Sequence, residues 1–302
     1  MKKLLVTGQS GFVGQHLQQF LADSNEWQVL PAKPFDLCDP VSLEHMLAST
    51  CPDAVIHLAG QTFVPEAFRD PARTLHVNLI GTLNLLQALK ARGFSGTFLY
   101  VSSGDVYGQV DETLLPIRES MLPDPRNPYA VSKLSAEHLC RQWGHSEGWR
   151  VLIARPFNHI GSGQNESFVL SSVARQLTRV GLGLQAPQLL IGDVDVTRDF
   201  LDVRDVIAAY ILLLERGCNG ETYNVCSGHE RLLRDLIMEM SHLAGVQVEL
   251  LQDPARMRRA EQRRVIGSAE KLQKRTGWRP GITITETLQS MLSDWGTREL
   301  KQ

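Results

Sequence analysis

The chain has 302 residues, a net charge of −2 at neutral pH and 43% hydrophobic residues. That length suits one large domain or two interlocked ones around a sizeable core, and the near-zero charge argues against nucleic acid or an anionic membrane as the main partner. Five cysteines (Cys38, Cys51, Cys140, Cys218 and Cys226) are scattered without a C-x-x-C pair, which suits reduced thiols and gives no metal-site spacing.

Residues 3–7 are an apolar run that breaks at a glycine turn, and they read as a buried strand. Residues 12–22 follow as a helix and 27–31 as a weaker strand. Residues 53–58 read as the next strand, closing on Ala59-Gly60. A long helix is expected over 71–92, with Leu75, Leu79, Leu83 and Leu86 on one face and Gly93 as its stop. Residues 97–102 read as a strand, 128–145 as a helix with proline near its start, and 150–155 as a strand. This alternation predicts a parallel sheet covered on both faces.

After Phe157 the rhythm weakens, and Gly-, Gln- and Pro-rich segments (161–166 and 181–192) separate isolated helices and strands. Asp205 is expected to cap a helix running to Arg216. Residues 221–226 read as a strand, and 231–244 as a helix. A basic stretch (256–264) leads into helices over 269–276 and 285–298. No apolar stretch approaches the ~20 residues of a membrane span, and a strand so near Met1 leaves no room for a secretory leader. A cytoplasmic protein is therefore expected.

Two segments carry the chemistry. Gly8, Gly11 and Gly14 follow the first strand at intervals of three and open a helix. Such a turn lets backbone approach a pyrophosphate and sets a helix N-terminus against it, although alone it also suits an ordinary strand-to-helix turn. Downstream, Tyr129 and Lys133 stand four residues apart on one helical face. An ammonium one turn from a phenol favours the phenolate and is expected to lower the phenol's pKa. Alone, the two also suit an exposed helical pair. Cradle and pair together point to redox chemistry on a carbonyl or an alcohol.

In order, Thr7-Gly8-Gln9-Ser10-Gly11-Phe12-Val13-Gly14, His57-Leu58-Ala59-Gly60, Asn78-Leu79-Ile80-Gly81-Thr82, Val101-Ser102-Ser103-Gly104-Asp105-Val106-Tyr107-Gly108 and Tyr129-Ala130-Val131-Ser132-Lys133 resemble the extended short-chain dehydrogenase/reductase superfamily, whose members act on nucleotide-sugars. The resemblance implies an α/β fold: a Rossmann-type doubly wound parallel sheet with a smaller, interleaved C-terminal substrate lobe. Residues 1–157, with returning segments near 195–227, would bind NADP, and 158–302 mainly the nucleotide-sugar.

By the same resemblance Ser103, Tyr129 and Lys133 are the catalytic residues. Tyr129 would protonate a carbonyl oxygen as hydride reaches the carbon, Ser103 would hydrogen-bond that oxygen, and Lys133 would also hold the nicotinamide ribose. The expected cofactor contacts are Gly8, Gly11, Phe12, Val13, Gly14, Lys33, Asp36, Leu37, Leu58, Ala59, Gly60, Asn78, Tyr129 and Lys133. Asn78 would organise the helix backbone beside the site; a polar residue at a helix edge is the alternative. No acid stands near Pro31-Ala32-Lys33 to bind a ribose 2′-hydroxyl, and Lys33 suits a 2′-phosphate, so NADP(H) is preferred with NAD(H) also usable.

Arg155-Pro156-Phe157-Asn158-His159-Ile160-Gly161-Ser162-Gly163-Gln164 resembles the signature of GDP-4-keto-6-deoxy-mannose reductases, with Ser162 where they have proline. Arg198-Asp199-Phe200 resembles a diphosphate clamp, and Arg258-Arg259-Ala260-Glu261 an R-P-x-E motif that contacts phosphate and ribose; a solvated basic run is the alternative. The expected substrate contacts are thus Ser103, Gly104, Asp105, Tyr129, Asn158, Arg198, Arg258 and Glu261. His159 reads as structural, with a proton donor as the alternative. Dehydratases of the superfamily place an acid-base pair directly after the catalytic hydroxyl, where this chain has Gly104 and Asp105. Asp105 either tunes Tyr129, binds a sugar hydroxyl or merely forms the turn.

The implied activity is NAD(P)H-dependent reduction of the C4 ketone of GDP-4-dehydro-6-deoxy-D-mannose to GDP-D-rhamnose, which feeds surface polysaccharide, by a homodimer without metal. The alternatives are a 6-deoxy-talose-forming reductase, a 4-epimerase or 4,6-dehydratase, and a non-enzymatic NADP-sensing regulator.

Overall fold

Short apolar runs separated by amphipathic helices build a six-stranded parallel sheet. The computed structural model describes residues 1–31, 34–48, 51–256 and 262–301. The strands, in chain order, are β1 (Lys2–Thr7), β2 (Trp27–Val29), β3 (Ala54–His57), β4 (Thr97–Val101), β5 (Arg150–Pro156), β6 (Asn158–Ile160), β7 (Gln188–Ile191), β8 (Thr197–Asp202), β9 (Thr222–Val225), β10 (Glu230–Leu232) and β11 (Glu249–Gln252). The main sheet runs β2-β1-β3-β4-β5-β9; smaller sheets run β10-β8-β6 and β11-β7. The helices are α1 (Phe12–Phe20), α2 (Pro40–Leu47), α3 (Val64–Arg69), α4 (Pro71–Leu75), α5 (Gly81–Ala91), α6 (Pro128–Glu147), α7 (Val169–Gly181), α8 (Val203–Arg216), α9 (Leu233–Leu243), α10 (Glu270–Thr276) and α11 (Ile284–Glu299).

Alternate strand residues feed two cores. Leu4, Val6, Ile56, Leu99 and Leu152 pack with α1, α8 and α10, while Leu5, Val55, Phe98, Val151 and Ile153 pack with α2, α5 and α6. A third core joins α7, α9 and α11 to β7 and Phe200 of β8. All three pack by removing apolar area from water, the main favourable term in folding. Within the sheet a buried ion pair fixes α6 to β5. Arg155 donates from Nε to Glu137 Oε1 at 2.9 Å and from Nη2 to Oε2 at 2.7 Å, with side-chain exposures of 4% and 0%. The guanidinium lies 4.8 Å from the Tyr107 ring centroid, and Tyr107 donates to Asn224 Oδ1 on β9 at 2.7 Å.

The structure departs from the sequence reading in several places, and α7, β6, β8, β10 and β11 also arise where no element was named. The helix expected over 71–92 is interrupted by a π-helical turn, His76–Ile80, between α4 and α5. Its buried face runs through Thr74, Asn78, Thr82, Leu85 and Leu89; of the expected leucines Leu86 is buried, whereas Leu75, Leu79 and Leu83 are only partly buried. The polar members of that face meet hydrogen-bonding groups on β3 and the segment after it, which satisfies them in the interior. Asp202, not Asp205, caps α8 by accepting from the Arg204 N–H at 2.8 Å. Asp205 lies within the first turn of α8, and its carboxylate accepts from the N–H groups of Gly281 and Ile282. α2 and α3 arise where no helix was expected, each with a proline in its first turn. β7 forms inside the segment read as loop, held by pairing with β11.

Among the described residues no helix is long and apolar enough to cross a membrane.

Candidate active site

The carboxyl ends of β1, β3, β4 and β5 converge with the first turn of α6, the position where open α/β sheets bind ligands. At β1 the chain turns through Gly8 (φ +77°), where an added Cβ would lie 3.0 Å from the Ala59 nitrogen. A Cβ at Gly14 would lie 2.3 Å from the Gly8 carbonyl oxygen. Both positions therefore require glycine. Gly11 begins α1 without a side-chain cap, so the first-turn N–H groups at Phe12, Val13 and Gly14 have no capping side chain, an arrangement suited to an anion. The geometry fits a dinucleotide pyrophosphate.

After β3, Leu58, Ala59 and Gly60 are half-buried. A Cβ on Gly60 would stand 2.8 Å from Asn78 Oδ1 and 3.8 Å from Lys133 Nζ, so an open backbone surface faces both. Asn78 is 2% exposed within the π turn. Its side chain accepts from Gln61 N at 2.8 Å and donates to Gln61 O and Ser132 Oγ, each at 2.9 Å. It is therefore a clamp between the β3 loop and α6, and not a polar residue at a helix edge.

Tyr129 and Lys133 sit in the first two turns of α6, which Asn127 caps by accepting from Ala130 N–H at 2.8 Å. Lys133 donates to the Val101 carbonyl at 2.9 Å and lies over the rings of Tyr100 and Tyr129, 5.2 and 6.0 Å from their centroids. Burial lowers its pKa to about 8, with the charges of Cys140 and Glu137 acting in the opposite sense. The phenol of Tyr129 departs from expectation: its pKa is raised, not lowered. Burial is the main cause and the negative charge of Asp105 adds to it, while a hydrogen bond with Ser103 pulls the other way. The neutral phenol thus keeps its proton.

Ser103 precedes a 3-10 turn (Gly104–Tyr107) and accepts from the Asp105 N–H at 3.2 Å. Gly104 faces the Phe157 ring, whose carbons would lie 3.1 to 3.2 Å from an added Cβ. Asp105 is exposed, and its negative charge acts on both Tyr129 and Arg198. Arg198 donates to the carbonyls of Thr197 and Arg263 at 2.7 and 3.3 Å. Asn158 is exposed on β6. The Nδ1 of His159 lies 3.0 Å from the Phe157 carbonyl, and its ring stacks on Phe12 with centroids 6.2 Å apart.

Away from the catalytic centre, Asp36 accepts from Cys38 N–H at 2.8 Å. Leu37 is 6% exposed, with its carbonyl taken by Asn84 at 2.9 Å. Its side chain is therefore core, and any contact with a cofactor falls to its backbone. Lys33, Arg258 and Glu261 lie outside the described residues. The sequence reading assigned no role to His57, Glu137 or Arg155, which the fold buries beneath the site. His57 and Arg155 open two of the motifs quoted above, and Glu137 stands one turn beyond Lys133.

The sequence profile of the family described as GDP-mannose 4,6 dehydratase matches residues 25–291. The chain belongs to this family. Within it, the chain is 63% identical over 299 residues to a GDP-6-deoxy-D-mannose reductase of Pseudomonas aeruginosa, covering 98% of each. It is 31% identical to a GDP-6-deoxy-D-talose 4-dehydrogenase of Aggregatibacter actinomycetemcomitans, covering 89% of this chain and 90% of the relative. The solved structure of RMD from Pseudomonas aeruginosa complexed with NADPH superimposes with a TM-score of 0.95 at 62% identity, covering 99% of this chain and 100% of that one. Membership in a family described by a dehydratase leaves the reaction to be read from the site.

Proposed function

We propose that the protein is an NADPH-dependent reductase of GDP-4-dehydro-6-deoxy-D-mannose, forming GDP-D-rhamnose. The observation that carries this is 63% identity over 98% of the chain with a GDP-6-deoxy-D-mannose reductase, joined to a site that keeps Ser103, Tyr129 and Lys133. NADPH, when bound, supplies the hydride for C4. Gly8, Gly11 and Gly14 with the start of α1 receive its pyrophosphate; Lys133, beside Gly60, holds the nicotinamide ribose. Tyr129, neutral and buried, hydrogen-bonds the C4 ketone oxygen and gives it a proton as negative charge develops there. Ser103 donates to the same oxygen. The Lys133 ammonium then stabilises the phenolate left behind.

Elimination of water needs a further acid-base pair. Gly104 offers no side chain, and Phe157 occupies the space one would fill. This supports reduction over dehydration. Arg198 and Asn158 are assigned to the sugar diphosphate, and Asp36 and Lys33 to the adenosine end. Residues 1–157, with returning segments near 195–227, are assigned to the cofactor and 158–302 mainly to the sugar-nucleotide. The partly exposed apolar strip of Leu75, Leu79, Ile80 and Val131 supports pairing of two copies through the 71–91 and α6 helices. A cytoplasmic enzyme is proposed.

The test is oxidation of NADPH, and separately NADH, with GDP-4-dehydro-6-deoxy-D-mannose, followed by NMR of the sugar. Stoichiometric oxidation yielding rhamnose is expected. A talose product would keep the chemistry and reverse the pose, and no oxidation by folded protein would overturn the reductase reading.

A further inference from the structure

His57, the last residue of β3, is 1% exposed, and both of its ring nitrogens are engaged by hydroxyls from different elements. Nδ1 lies 2.7 Å from Thr7 Oγ1, at the end of β1 immediately before the glycine turn. Nε2 lies 3.0 Å from Thr82 Oγ1 on α5. The direction of these bonds is forced. The single hydroxyl hydrogen of Thr82 goes to the Asn78 carbonyl at 2.6 Å, so Thr82 can only accept from the ring, and Nε2 carries the proton. Nδ1 is then a bare acceptor, and Thr7 donates to it. The Thr7 oxygen is left to accept the Ala59 N–H at 3.1 Å.

Beyond Thr82 the chain of bonds continues. Asn78 donates to Ser132 at 2.9 Å, and Ser132 donates to the Tyr129 carbonyl at 2.7 Å. A path of buried hydrogen bonds, joined through the backbone and side chain of Asn78, thus runs from the wall of the nucleotide turn, through the imidazole, to the first turn of α6. Each member is buried, so each lost bond leaves a polar group without water to replace it. Thr82 also occupies the carbonyl of the residue at the centre of the π turn, which ties the imidazole to that local departure from α-helix.

We propose that His57 is a positioning residue with two separable arms: through Thr7 it sets the glycine turn for NADPH, and through Thr82 and Asn78 it sets the helix that presents Tyr129. The second arm rests on the reductase reading; the first does not. A histidine suits this junction because one rigid ring offers an acceptor and a donor on different sides. The ring also stays uncharged: burial and the Lys133 charge lower its pKa to about 3.

Two substitutions separate the arms. His57→Asn places an acceptor near the Nδ1 position and lacks a donor toward Thr82. His57→Gln reaches the Nε2 position with its amide and lacks the acceptor toward Thr7. The dissociation constant of NADPH, read by fluorescence titration without substrate, reports the first arm. The value of kcat at saturating NADPH reports the second. His57→Asn is expected to keep the NADPH constant and lower kcat about tenfold, the scale of one lost buried hydrogen bond. His57→Gln is expected to do the reverse. Equal changes in both parameters for both variants, or no change in either, overturn the proposal.

If both variants fail to fold, Thr82→Val and Thr82→Ser decide the second arm. The valine should lower kcat with NADPH binding intact, and the serine, which retains the hydroxyl, should restore it. Unchanged kcat in Thr82→Val overturns that arm. Should the wild-type enzyme bind NADPH but reduce no sugar, the reductase reading fails while the NADPH titrations still test the first arm.

Discussion

Removing Arg155 tests whether the α6–β5 ion pair is as consequential as its burial implies. In Arg155→Met the Glu137 carboxylate, fully buried, loses both bonds from Arg155. Its remaining cations are Arg141, 3.8 Å away and 26% exposed at its side chain, and the buried Lys133, on which the Glu137 charge also acts. Breaking a buried pair from one side costs about 3–5 kcal/mol, and the residual attraction to Arg141 places this case near the lower end, roughly 3 kcal/mol. A protein of this size loses about 2 °C of Tm per kcal/mol, so the melting temperature should drop by roughly 6 °C. The double variant Glu137→Met/Arg155→Met removes the stranded charge and fills similar volume; it should recover to within about 1 kcal/mol of wild type. Urea unfolding, followed by tryptophan fluorescence, measures both. A single variant that loses less than about 1 kcal/mol, or a double variant no better than the single, would refute the reasoning.

Other perturbations read individual groups. Tyr129→Phe removes the proton donor and should lower kcat by about 10²–10⁴-fold while NADPH binding, measured by titration, stays within a few-fold. Gly104→Ala forces a Cβ to within 3.1 Å of the Phe157 ring and should destabilise the fold by about 1–3 kcal/mol in the same unfolding assay. His57 predicts a pH dependence of stability. Its folded pKa of about 3 lies below the unfolded value near 6.5, so the unfolded chain takes up the proton first as pH falls. The contribution is intact above pH ~6.5 and is lost at about 1.4 kcal/mol per unit below it, or roughly 2 kcal/mol at pH 5. His57→Gln should flatten the stability–pH curve by that amount; an unaltered curve would show that the imidazole does not carry it.

What could be read from residue order was whatever depends on short-range pattern. The glycine turn, the strand runs and the Tyr129–Lys133 spacing are local, and they stand in the fold where the pattern puts them. The π turn was not legible, because its cause is distant: Gln61 and Ser132 engage the Asn78 side chain from other elements. Asp205 and Asp202 are both good caps by type, and only the return of Gly281 and Ile282 onto Asp205 separates their roles. Of the leucine face expected over 71–92, Leu86 is core and Leu79 packs against it, while Leu75 and Leu83 are displaced from the buried face because hydroxyls and amides on that helix meet buried partners. The raised phenol of Tyr129 follows from burial and from Asp105, neither of which spacing along one helix can show.

The strand order also bears on how the chain reaches its native state. β5 waits for β9: Ile153 pairs with Thr222 and Pro156 with Val225, after the chain has built β6, α7, β7, β8 and α8. So distant a contact forms late and slowly, since loop closure must precede any gain from pairing. Until then a growing chain carries the outer edge of β5 open, a template for pairing with other chains. A fragment ending at the close of β5 would therefore associate rather than persist as a monomer, however complete its nucleotide cradle.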